Sequence, residues 1–181
     1  QINLVELCGR KGIGLIESKD TQNFLYRKII SKAPSLRVPR HRLVSNLVNS
    51  GQYQLAETEI RLFESDVRYL DGPMTRFAAL IPIRRALHSP GLEADIRLSL
   101  LRQGYSQLEA GIQQHKNDRL MYEALCDAGI HLFQKGDGWE YFDKAIIAFE
   151  RRVANNSDAD FVHALNKYKV KGKRIQTGAS A

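Results

Sequence analysis

Apolar residues recur at three- and four-residue steps along almost the whole chain, the spacing that turns one face of an α-helix toward a core. Leu43, Leu47 and Val48 make one such stripe, and Leu55, Ala56, Ile60 and Phe63 make the next. The clearest runs through Trp139, Phe142, Ile146, Phe149 and Val153, and residues 158–170 offer a last helix with Phe161, Leu165 and Tyr168 on one side. No alternating stretch is long enough for a sheet, so the expected fold is all-α. Pro34, Pro39, Pro73 and Pro90 fall between stripes, where proline starts or stops helices. Pro82 lies inside one, and a kink or interruption is expected there, in an additional helix over 74–89. Gly51 separates two stripes and marks a helix end, because glycine reaches left-handed backbone angles at little cost.

Two segments share a finer register. In the later one, Leu125-x2-Ala128-Gly129-x2-Leu132 leads into Lys135-Gly136-Asp137 and then Ala145-x3-Phe149. Gly129 lets a second helix approach closely, the Gly-Asp turn reverses the chain, and Ala145 with Phe149 supplies a small-then-large packing pair. In the earlier one, Leu43-Val44-x2-Leu47 is followed by Gly51-Gln52-Tyr53 and Ala56-x3-Ile60. Upstream, Tyr26 and Pro34 stand eight positions apart.

This register resembles the tetratricopeptide repeat, with its W-x2-L-G-x2-Y helix, A-x3-F helix and closing proline. Arg40 stands where the family has its aromatic and Val44 where it has glycine, and the later segment has four extra residues between Gly129 and Ala145. No full unit aligns between Asp66 and Arg119, although Gly104-Tyr105 is read as another turn. The resemblance implies antiparallel helix pairs stacked as a right-handed α-solenoid over residues 1–170, irregular in the middle. Residues 171–181 are read as a basic, flexible tail.

A chain of 181 residues can bury one continuous core. Its longest apolar stretch, 77–83, contains Pro82 and is far short of the roughly 20 residues that span a bilayer. Beginning with Gln1 rather than Met, the chain reads as a piece of a longer protein. Cys8 and Cys126 sit among apolar residues and form no C-x-x-C pair, so buried, reduced thiols and a cytoplasmic location are expected.

The net charge of +7 is uneven. Between Asp20 and Glu57 there is no acid, only Arg27, Lys28, Lys32, Arg37, Arg40 and Arg42. After Asp160 there are only Lys167, Lys169, Lys171, Lys173 and Arg174, whereas residues 57–160 carry 17 acids against 13 Lys and Arg. Such blocks attract nucleic acid or acidic protein surfaces, or simply solvate the fold.

Catalytic chemistry finds no foothold. His41, His88, His115, His131 and His163 show no metal-ligand spacing, and no cofactor is expected. Gly9-Arg10-Lys11-Gly12-Ile13-Gly14 lacks the Ser or Thr that would follow Gly-Lys in a phosphate-binding loop, and reads as a basic turn. Glu140, Asp143 and Glu150 read as an exposed helix face, and Asp137 as the cap of that helix.

Two functions remain. As a repeat scaffold, the chain would hold an acidic protein or peptide partner on the first helix of each unit, with Arg40, Arg42, Asn46, Asn49, Asp127 and His131 as contacts. As a nucleic-acid binder, it would use segments 27–42 and 167–174, with Arg27, Lys28, Arg37, Lys167, Lys169 and Lys171 holding phosphate beside Tyr26 and Tyr168. A helix-turn-helix at Gly51 is disfavoured, since its second helix offers Glu57, Glu59 and Glu64 against Arg61 alone. Neither a membrane nor a small-molecule substrate is expected.

Overall fold

A computed structural model describes residues 16–178; Cys8 and the 9–14 turn lie outside the described residues. Among these residues there are eight α-helices and no strand: α1 (Lys19–Lys32), α2 (Arg37–Asn49), α3 (Tyr53–Val67), α4 (Gly72–His88), α5 (Ala94–Gln114), α6 (Arg119–Gln134), α7 (Glu140–Asn155) and α8 (Ala159–Thr177). The chain forms two compact units whose division falls between Ile81 and Pro82, inside α4. In the first unit α2 packs on both α1 and α3; in the second, α6 packs on α5, α7 and α8.

The two segments are buried at corresponding positions. Arg40, Leu43, Val44, Leu47, Ala56 and Ile60 are buried in the hairpin of α2 and α3. Their counterparts Leu125, Ala128, Gly129, Leu132, Ala145 and Phe149 are buried in the hairpin of α6 and α7. Both first helices end the same way. Gly51 has φ +76° and Gly136 φ +92°. At the first, Gly51 N–H donates to Val48 O and Gln52 N–H to Leu47 O; at the second, Gly136 N–H donates to Phe133 O and Asp137 N–H to Leu132 O. This paired closure satisfies carbonyls that a helix end would otherwise leave open.

The close approach expected at Gly129 is present: a Cβ there would lie 2.8 Å from the backbone N and Cα of Phe142 on α7. The ring of Phe142 reaches the other way, so that a Cβ on Gly172 of α8 would meet its Cε1 at 2.5 Å. One residue thus fills two glycine notches and ties three helices together. Tyr122 of α6, Phe149 of α7 and Phe161 of α8 pack ring to ring, with centroids 5.2 to 6.0 Å apart.

Five expectations need correction. Gly104 and Tyr105 form no turn; they lie buried in the middle of the 21-residue α5. Tyr105 stands on the core side and donates from its hydroxyl to Tyr141 O at 2.8 Å. Pro82 does not interrupt α4, which runs on to His88. Burial of Met74, Ala79, Ile81, Ile83 and Ala86 along that helix offsets the roughly 3 kcal/mol that an internal proline costs. Leu55 is exposed, not part of the buried stripe of α3. Asp137 does not cap α7, which starts after Trp139; its carboxylate accepts from Gly138 N–H at 3.0 Å and from Arg102 Nε of α5 at 2.7 Å. The Arg102 bond, helped by the Gly138 N–H, holds the Asp137 carboxyl below the usual carboxylate range. Residues 171–177, read from sequence as part of a tail, are the last turns of α8.

Candidate functional site

The acid-free block 27–42 finds its acids later in the chain. Arg27 Nε on α1 lies 3.4 Å from Glu59 on α3. Arg37 donates to the Tyr69 hydroxyl, sits 5.0 Å from that ring's centre and is 4.0 Å from Asp71. Arg40, buried at 4% exposure, bonds Asp66 through Nη2, while its Nε and Nη1 have no partner among the described residues. Beside it, His41 Nε2 is 2.9 Å from Asp71, whose Oδ1 also accepts the Met74 N–H and so caps α4. Lys28 lies over the Phe24 ring, at 4.6 Å, and like Arg42 stays exposed.

Asn46 faces α1. Its amide donates to Gln22 Oε1 and Asn23 Oδ1, each at 3.0 Å, and both acceptor residues are buried. Asn49, one turn on, is exposed. Of the four contacts read on α2, Arg40 and Asn46 therefore hold the fold, whereas Arg42 and Asn49 remain open to a partner.

In the second unit, the sequence-picked residues of α6 and α8 come together. Asp127 accepts from the Tyr168 hydroxyl and from Lys171 Nζ, both at 2.7 Å. Burial, then the hydrogen bond to Asp127, pushes the Tyr168 hydroxyl well above the ordinary tyrosine range. His131, one turn from Asp127, has its pKa lowered chiefly by burial, against a 3.3 Å bond to Gln134. Lys169 pairs with Glu150 of α7 at 2.5 Å, and Lys167 lies 5.9 Å from the Tyr168 ring. Cys126 is a free thiol, pushed far up by burial and therefore unreactive as a nucleophile.

A further surface escaped the sequence reading. Between α7 and α8 runs an open groove of about 350 Å³, lined by Trp139, Phe142, Asp143 and Ile146 on one side and Lys169, Gly172, Lys173 and Gln176 on the other. Its Trp139 ring stands edge-on to Phe133 at 4.9 Å and tilted against Phe142 at 4.7 Å. Trp139 lies in the stretch from Gly136 to Ala145, which is four residues longer than its counterpart from Gly51 to Ala56. A usable signal was Gly172, a small residue four positions after Tyr168 in an otherwise basic run.

Among the described residues no cluster of three His, Cys, Asp or Glu side chains could hold a metal, and no helix is long and apolar enough to cross a membrane. No protein-family model, curated protein or solved structure matches the chain.

Proposed function

We propose that this chain is a non-catalytic protein-interaction module of tetratricopeptide-like helix pairs, which holds a partner peptide or helix on the faces of its first helices. The observation that carries the reading is the common burial register of the two hairpins, closed by the same glycine-ended turn. Packing of α6 on α8 adds the first-helix to first-helix contact expected when such pairs stack. Contact then falls to side chains on these helices not wholly spent on the fold: Arg42 and Asn49 on α2, and His131 with the Asp127 edge on α6, where Leu120 and Phe133 are also exposed.

The nucleic-acid alternative is weakened by one finding. Arg27, Arg37, Arg40, Lys169 and Lys171 all lie within 4.0 Å of an acid in the folded chain, so much of both basic segments is already neutralised. Affinity capture with the intact protein tests the choice. A stoichiometric protein partner, lost on the double change Arg42→Glu and Asn49→Ala, is the expected result. Tight binding of single-stranded nucleic acid that weakens steeply with salt, with no protein partner, would replace the proposal by its alternative.

A further inference from the structure

The groove between α7 and α8 has the dimensions of a helix seat. Its α7 wall is Trp139, Phe142, Asp143 and Ile146, and its α8 wall Lys169, Gly172, Lys173 and Gln176. Each set is spaced i, i+3, i+4, i+7, one face of a helix for two turns, or about 10 Å of axis. Two such faces side by side make the furrow into which a third helix lays a ridge of the same spacing. The fold already uses this arrangement once, since α8 packs against both α6 and α7. The next seat, on α7 and α8, is open.

Its two walls carry opposite charge. Trp139 and Ile146 are half-buried and offer apolar surface, with the Phe142 ring between them sealed by Gly172. Along the α8 wall Lys173 is exposed with no ion pair among the described residues, and Lys169 is held by Glu150 at 2.5 Å. On the α7 wall stands Asp143, also exposed. We propose that this groove docks an amphipathic helix of another protein, whose apolar ridge covers Trp139 and Ile146 and whose acidic flank lies along Lys173. Asp143 repels that flank from the opposite wall, so the charge pattern sets which way round the helix lies. This deepens the reading of the chain as an interaction module, and it concerns a surface other than the α2 and α6 faces.

Trp139 is the single tryptophan, so its emission reports the groove directly. The full chain is titrated with synthetic, end-capped helical peptides of about four turns. They carry Leu, Phe or Met at i, i+3, i+4 and i+7, with a row of Glu on one flank or the same row changed to Lys. The expected result is a saturable emission shift with Glu-flanked peptides, at affinity at least about tenfold above the Lys-flanked set. Lys173→Glu then reverses the preference, and Ile146→Asp abolishes the response while the helical circular dichroism is unchanged. Three results overturn the proposal: no Trp139 response to any peptide; equal response to both flank charges; or an emission shift that follows protein concentration alone, which would make the groove a contact between two copies. Capture of a partner that depends on Arg42 and Asn49 but not on Lys173 would keep the module reading while this groove fails. Peptide seating without any captured partner would do the reverse.

Discussion

The hairpin of α2 and α3 and the hairpin of α6 and α7 bury the same register positions, yet each locks its first helix to its neighbours by different chemistry. In the later hairpin the lock between α6 and α7 is steric: Gly129 brings two backbones together, and the Phe142 ring continues the contact into Gly172, while Asp127 adds a polar tie from α6 to Tyr168 and Lys171 of α8. In the earlier one Val44 stands at the position of Gly129, and polar bonds take over, from Asn46 to Gln22 and Asn23 and from Arg40 to Asp66. Leu125, the counterpart of Arg40, is simply packed. Close packing tolerates no added volume, whereas a polar lock tolerates no lost partner. One burial pattern can therefore be held by two mechanisms with opposite sensitivities to mutation.

Adding one methyl group is the sharpest way to break the difference. Gly129→Ala puts a Cβ against the Phe142 backbone, which cannot swing aside as a side chain does, and should cost about 3 kcal/mol. The midpoint of urea unfolding reads it; a loss below about 0.5 kcal/mol would show that α6 and α7 are not held at this distance.

Removing charge probes the polar lock. Asp66→Asn leaves the Arg40 guanidinium buried without a counter-charge and should cost about 2–3 kcal/mol. Arg40→Leu, which installs the residue type of the later hairpin, should be neutral or stabilise by about 1 kcal/mol, because the Asp66 it leaves behind is 42% exposed and water solvates it. If both changes destabilise equally, the pair contributes as an ion pair and not merely as a charge that must be matched.

Asn46→Leu should cost about 2 kcal/mol, since it strands the buried Asn23 carbonyl and leaves Gln22 Oε1 only its 3.3 Å bond from Lys19, and the same denaturation curve measures it. The smallest effect is one of pH in the second unit. The folded-state pKa of His131 is depressed, so the unfolded chain binds its proton more readily. Its contribution is complete above the ordinary histidine pKa and is lost as the pH falls through that value toward the folded one. Thermal melts from pH 7 to pH 5 should therefore fall less steeply for His131→Gln than for the unaltered protein; an unchanged slope removes this residue from the account.

The earlier and later hairpins are legible in the sequence because their signals are local. A glycine after a stripe, a small residue three or four steps from a large one, and apolar steps of three and four each act within a turn or two of helix. Gly104 misled for the same reason. Glycine before an aromatic reads as a turn locally, but α5 continues because Leu101, Tyr105 and Leu108 are buried along it. At Pro82 too, burial of neighbouring side chains outweighed a local preference.

The sites were less legible. Asn46, Asp127 and Arg40 were chosen as polar residues next to apolar stripes, but such a position can turn to solvent or to a neighbouring helix. Only packing revealed the partners, which lie 24, 41 and 26 positions away. The α7 and α8 groove was invisible for a related reason: each wall reads as an ordinary helix face, and the furrow exists only where the two lie side by side.

Helix content, the two glycine-ended turns and the buried register follow from the order of residues, since each depends on interactions a few residues apart. Whether the basic block at 27–42 stands bare or paired depends on Glu59, Asp66 and Asp71 arriving from α3 and the turn after it. Whether Trp139 lines a surface or a core depends on where α8 settles. Charge pairing and surface shape are set by distance in space, and a folded chain brings together atoms that its sequence holds far apart.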